Sequence, residues 1–139
     1  MDLSRYLGFL IRRAAQVHVA VWSREVSTET TSVQFGVLAS LSESDGMSQR
    51  ELGDALDLDR STIADLVARL ERRGLVSRRR QERDSRANLV SLTPAGLAEY
   101  GELAPRVAEV DRILAARLSG DERDRLASLL TAVLAGTSE

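Results

Sequence analysis

Cysteine is absent from this 139-residue chain, and so is lysine: all 19 basic residues are arginine. Without thiols there is no disulfide, no thiolate metal site and no cysteine redox sensor. The single histidine has no ligand-spaced neighbours, so neither a metal site nor a cofactor is expected. Nucleophile–base pairs and Gly-rich phosphate loops are also missing, and the nine glycines are scattered at helix ends and turns. No catalytic residue is assigned and an enzyme is not expected. Aromatic residues make up 4% of the chain and there are two prolines. Ala, Leu, Arg and Glu recur instead, a composition that leans to helix. No apolar run approaches the roughly 20 residues that span a bilayer. Met1–Arg13 lacks the charged, apolar, small-residue order of a signal peptide. A cytoplasmic protein without a membrane partner is the expectation.

What is present is unevenly distributed. The net charge is −2, which taken alone argues against a polyanionic partner. Yet Arg69, Arg72, Arg73, Arg78, Arg79, Arg80, Arg83 and Arg86 face only Glu71, Glu82 and Asp84 in one stretch, a local +5 that leaves −7 for the rest. Such a patch steers one face of a molecule, not the whole of it, toward a polyanion. The competing reading is a solvated helix end followed by a charged loop.

Apolar residues recur at Leu3, Leu7, Leu10, Ala14, Val17 and Val21, a narrow stripe along one helix predicted over about Leu3–Val26. That helix is too long for the core of so small a domain and suits packing against a partner chain. Capping boxes mark further helix starts at Thr31-x-x-Gln34, Ser48-x-x-Glu51 and Ser119-x-x-Glu122. Thr93-Pro94 is a cap followed by proline at the first helical position. Asp59 caps a helix over Arg60–Arg73 with Ile63, Leu66, Val67 and Leu70 inward, and Gly74 stands where a left-handed residue ends it. Ser48–Leu56 and Arg60–Arg73 thus form a helix-turn-helix. Leu75–Arg80 and Asn88–Leu92 alternate at period two and read as hairpin strands around a seven-residue tip, Gln81–Ala87. Pro94–Leu118 and a last helix with Leu126, Leu129, Leu130, Val133 and Leu134 complete the order. The fold class expected is mostly α with a β-hairpin wing: six helices in a winged helix-turn-helix.

A recognition helix enters the major groove with the face its core leaves free. On Arg60–Arg73 that face carries Ser61, Thr62, Asp65 and Arg69, with Arg72 at its edge, and Arg60 is a further DNA-binding candidate. Arg69 can be bidentate to guanine, Thr62 can touch a thymine methyl or a phosphate, and Asp65 can accept from cytosine. Equally, Asp65 and Arg69 can be an ordinary i,i+4 pair. Ser48, Gln49 and Arg50 open a helix whose free amides suit a phosphate, or they are a plain cap. The hairpin, with Arg80, Arg83, Asp84 and Arg86, can reach an adjacent minor groove, where a narrow negative channel favours arginine. A solvated loop is the alternative.

Several segments together resemble the MarR family of bacterial regulators: Asp59-Arg60-Ser61-Thr62-Ile63, Leu70-Glu71-Arg72-Arg73-Gly74-Leu75-Val76, Asp84-Ser85-Arg86 and Leu92-Thr93-Pro94-Ala95-Gly96. The Gln34-x-x-x-Leu38 pattern and the helix order extend the likeness over nearly the full chain. The tip departs from it, with Gln81-Glu82-Arg83 where the family often carries a second Asp and a Pro. The resemblance implies one unit over residues 1–139, with 1–30 and 94–139 as dimerisation helices and 31–93 as the DNA-binding lobe. It implies a homodimer joined through Leu3, Leu7, Leu10, Ala14, Leu126, Leu130 and Val133. The partner would be double-stranded DNA, a palindromic operator near the chain's own promoter, with Arg86 in the minor groove. Family regulators commonly answer small aromatic anions, and the Asp-Arg-Ser-Thr-Ile wording is similar to a branch that senses aromatic acids or their coenzyme A thioesters. Function is then expected to be that of a repressor released by such a ligand. His18 and Trp22, one helical turn apart, are the candidate ligand residues with Arg13, and Arg12 and Arg24 are the alternative cations; packing is the competing role for them. A winged-helix protein with an architectural role and no effector is the second functional reading, distinguished by a steep salt slope without sequence preference.

Overall fold

The computed structural model describes residues 1–81 and 84–137, with the backbone alone for residues 81 and 84–87. Among the described residues the elements run α1 (Leu7–Glu25), α2 (Ser32–Ser42), β1 (Met47–Ser48), α3 (Gln49–Leu56), α4 (Arg60–Arg72), β2 (Val76–Gln81), β3 (Asp84–Leu92), α5 (Pro94–Leu114) and α6 (Gly120–Gly136). The three strands form one antiparallel sheet in the order β1-β3-β2.

Local chemistry explains the helix starts. Thr31 Oγ1 accepts from the Gln34 amide at 3.1 Å while Gln34 Oε1 accepts from the Thr31 amide at 3.2 Å. Ser48 with Glu51, and Ser119 with Glu122, repeat that reciprocal arrangement. Each such cap contributes on the order of 1 kcal/mol by satisfying orphan amides. Gly74, at φ 75°, turns the chain out of α4 and into the wing in a conformation that disfavours a Cβ.

Two apolar clusters hold the chain. One gathers Val37, Leu38 and Leu41 of α2, Leu52 of α3, Ile63, Val67 and Leu70 of α4, and Val76 and Val90 of the sheet. The other joins Val21, Trp22 and Val26 to Leu103 and Val110 of α5. Each fully buried aliphatic side chain contributes roughly 1.5–3 kcal/mol relative to exposure. A ladder of rings, His18–Trp22–Phe35–Tyr100, runs from α1 through α2 to α5 with centroids 5.9, 5.8 and 5.6 Å apart.

The structure corrects several expected boundaries. The first helix is not continuous from Leu3. Asp2 caps a short 3-10 turn, Leu3–Arg5, and Tyr6 is extended at φ −92°, ψ 119°, so the α-helix begins at Leu7. α5 stops at Leu114, because Leu118 turns back to bond the Ala115 carbonyl. The hairpin arms are longer than predicted, and Gln81 pairs with Asp84. Of the seven-residue tip expected, Gln81 belongs to β2 and 84–87 to β3, with a register shift between Arg80 and Gln81. β1 was missed: two residues, Met47 opposite Val90 and Ser48 opposite Leu89, are too short to show a period.

Candidate nucleic-acid interface

The interface is built on α4. Asp59 Oδ1 accepts from the Thr62 amide at 2.7 Å and from the Ser61 hydroxyl at 3.1 Å. Those bonds, the Thr62 amide foremost, hold its carboxyl below the usual carboxylate range, so the cap is ionised at neutral pH where the helix dipole favours it. Ile63, Val67 and Leu70 are buried, and Leu66 is half-buried. Opposite them Arg60, Ser61, Thr62, Asp65 and Arg69 are all exposed. This is the free face that the helical spacing predicted.

Arg69 Nε lies 3.1 Å from Asp65 Oδ2, with the two side chains 59% and 60% exposed. An exposed i,i+4 pair is worth roughly 0.3–0.5 kcal/mol, against roughly 1–3 kcal/mol for a bidentate arginine–guanine contact. The pair is therefore weak enough to be exchanged for a base.

Ser48 and Gln49 are half-buried and Arg50 is exposed at the start of α3. Ser48 serves as the cap, and Gln49 Oε1 accepts from Arg78 Nη1 at 3.1 Å. With its oxygen engaged, Gln49 has its amide NH2 left to donate, the polarity a phosphate requires. Arg78 Nε also stands 3.4 Å from Glu71 Oε2. Its guanidinium braces the wing root against both helices of the motif. In β2, Val76, Arg78 and Arg80 share one face, by the period of two. Arg79 and Arg80 are exposed. Arg83 lies outside the described residues, as do the side chains of Asp84 and Arg86, whose backbone is in β3.

Two members of the basic run thus turn inward. Arg78 does so at the wing root, and Arg73, the C-cap of α4, donates to Thr30 Oγ1 at 2.9 Å and to Gln34 Oε1 at 3.5 Å. Counting charge along the sequence cannot show this, because direction depends on what the chain packs against. Thr30 and Glu99 were missed altogether, and neither lies in a local motif.

The ligand candidates are placed unequally. Trp22 is buried and its Nε1 donates to the Thr30 carbonyl at 2.7 Å, so its indole offers a ring but no free donor. His18 is half-buried against that ring. Arg13 is exposed and donates to Gln16 at 2.9 Å. Five positions from His18, it stands about 140° round the helix. The dimer candidates Leu3, Leu7, Leu10, Leu126, Leu130 and Val133 are 43–71% exposed, Ala14 is exposed, and α6 buries no residue. The predicted N-terminal stripe divides: Val21 is in the core, while its members from Leu3 to Val17 lie open.

The sequence profile of the MarR family matches residues 30–87. The crystal structure of the PcaV transcriptional regulator from Streptomyces coelicolor with its natural ligand is 40% identical, covers 100% of this chain and 98% of its own, and superposes with a TM-score of 0.95. That of Bordetella bronchiseptica BpsR, whose DNA binding is regulated by 6-hydroxynicotinic acid, is 28% identical with TM-score 0.91, covering 100% and 99%. The HTH-type transcriptional repressor NicR of Pseudomonas putida is 32% identical over 93% of this chain and 82% of its own. With the winged helix-turn-helix and its exposed α4 face, these likenesses establish that the chain belongs to the MarR family and is a DNA-binding transcriptional regulator.

Proposed function

We propose that the chain is a homodimeric repressor whose paired α4 helices and wings hold a palindromic operator, released by a small aromatic acid or its coenzyme A thioester. The observation that carries the reading is the exposed row Arg60, Ser61, Thr62, Asp65 and Arg69 on a helix buried on its other side. Arg69 and Asp65 read bases, Thr62 a base or phosphate, and Ser48, Gln49 and Arg50 a phosphate. The wing, with Arg80, Arg83, Asp84 and Arg86, enters the flanking minor groove. Arg86→Ala is expected to weaken operator binding by roughly 1–3 kcal/mol with the oligomeric state unchanged. Unaltered affinity at moderate salt removes the wing from the mechanism.

Residues 1–30 and 94–139 supply the dimer frame in this reading, and 31–93 the DNA-binding lobe. Two identical apolar faces on α1 and α6 cover each other about a two-fold axis, which sets half-sites about one DNA turn apart. Nothing in the reading calls for catalysis. No helix among the described residues is long and apolar enough to cross a membrane, and we place the protein in the cytoplasm with its operator.

For the effector, the aromatic ring would lie against Trp22 and its acid group near His18, with Arg13 contributing charge at a distance rather than contact. BpsR's response to a hydroxynicotinic acid supports the ligand class. Trp22 is the sole tryptophan, so its fluorescence reports the site. Titration with benzoate, a hydroxybenzoate, 6-hydroxynicotinate and benzoyl-coenzyme A is expected to quench Trp22 and release DNA with at least one of them. A panel that changes neither signal favours the architectural reading.

A further inference from the structure

Thr30 and Gln34 are the buried polar side chains of the described residues, and both accept hydrogen bonds from Arg73. Thr30 is fully buried, and its hydroxyl, carbonyl and amide are each hydrogen-bonded. Its hydroxyl accepts from Arg73 Nη2 at 2.9 Å and donates to Glu99 Oε1 at 3.0 Å. Its carbonyl accepts from Trp22 Nε1 at 2.7 Å, and its amide donates to Ser27 Oγ at 2.9 Å. The Glu99 carboxylate stands 3.9 Å from the same guanidinium. One residue therefore ties the C-terminal cap of α4 to α1, to α5 and to the turn before α2. These bonds join the two apolar clusters, since Trp22 belongs to one and α4 to the other.

We propose that Thr30 is a positioning residue for DNA recognition: through Arg73 it sets the angle of α4 on the α1–α5 frame, and with it the separation of the two recognition helices. The proposal rests on the dimeric reading above. Its geometry is that of a lever. A 13-residue helix is about 20 Å long, and the bonded end lies away from the base-reading row that begins at Arg60. A tilt of about 5° at Arg73 moves the far end by about 2 Å, over half the 3.4 Å rise of a base pair. Small freedom at Thr30 thus becomes freedom over where a half-site must lie. Apolar packing is non-directional and holds α4 in its lobe. The hydroxyl adds direction, because its one donor is committed to Glu99 while it accepts from Arg73.

The test uses a palindromic duplex recovered from random DNA by the wild-type chain, and copies with half-sites moved apart or together by one and two base pairs. Wild type and Thr30→Ser, which keeps the hydroxyl, are expected to prefer the original spacing by about tenfold or more, comparable to a mismatched base. Thr30→Val, close in shape but without the hydroxyl, is expected to bind the original duplex about tenfold more weakly and to discriminate among spacings less than about threefold. Arg73→Met should behave alike, a second route if Thr30→Val folds poorly. The salt slope should not change, since no phosphate contact is lost. Undiminished spacing discrimination in both variants overturns the proposal, whatever happens to their thermal stability. A shallower salt slope overturns it too, by showing direct contact with phosphate. Absence of spacing preference in the wild type overturns instead the dimeric reading beneath it.

Discussion

Leu126→Glu with Leu130→Glu is expected to give a folded monomer that binds operator at least about a thousandfold more weakly than the parent. The two leucines are 46% and 43% exposed on a helix that buries none of its residues within the chain. Placing carboxylates there removes little from the fold of one protomer. In a dimer they become charges in an apolar seam, and an unpaired buried charge costs several kcal/mol even after relaxation. Loss of the dimer then divides the operator into two independent half-sites. A single lobe is left near the non-specific range of roughly 10⁻⁴–10⁻⁶ M, against roughly 10⁻⁸–10⁻¹¹ M for specific complexes. Sedimentation and a gel shift read both consequences. A double variant that still sediments as a dimer removes α6 from the interface.

The second large effect is expected at Gly96→Ala. A Cβ at Gly96 would come within 2.9 Å of the Leu75 carbonyl carbon, and closer still to its oxygen. The obstacle is backbone, which cannot rotate aside as a side chain does. It is also fixed: Thr93 donates through its amide to the Leu75 carbonyl at 3.1 Å, and through its hydroxyl to the Gly74 carbonyl at 2.6 Å. α5 and the wing root must therefore separate. Overpacking typically costs about 1–3 kcal/mol, and the upper end applies where backbone meets a new Cβ. For a chain of this length about 3 kcal/mol lowers the melting temperature by about 10 °C. Because the wing root moves, operator binding should fall even where the variant remains folded. A melting curve that overlays the parent's contradicts this close approach.

Gly96 also shows how much of the molecule the sequence made legible, and where that stopped. Leu92-Thr93-Pro94-Ala95-Gly96 could be read as a helix start and as family wording, but the reason for glycine lies in the Leu75 carbonyl, 21 positions earlier and visible only in three dimensions. Capping is local chemistry, so Thr31, Ser48 and Ser119 could be placed from three-residue patterns, as could the turn at Gly74. The free face of α4 followed from its helical period alone. The wing arms were underestimated because polar residues such as Gln81 and Asp84 look like loop until they pair with each other. Most hidden was the Thr30 node: its contacts to Arg73 and Glu99 span 43 and 69 positions. No periodicity or spacing rule reaches that far, and Arg73 accordingly counted toward a basic patch it does not face.

The most direct test of a dimeric, sequence-reading regulator is a hydroxyl-radical footprint of the wild-type chain on DNA flanking its own gene. Two protected segments on one face of the duplex are predicted, related by a two-fold axis and centred about one helical turn apart, roughly 10–10.5 base pairs. Featureless protection, with equal affinity for random DNA of the same length, would contradict it.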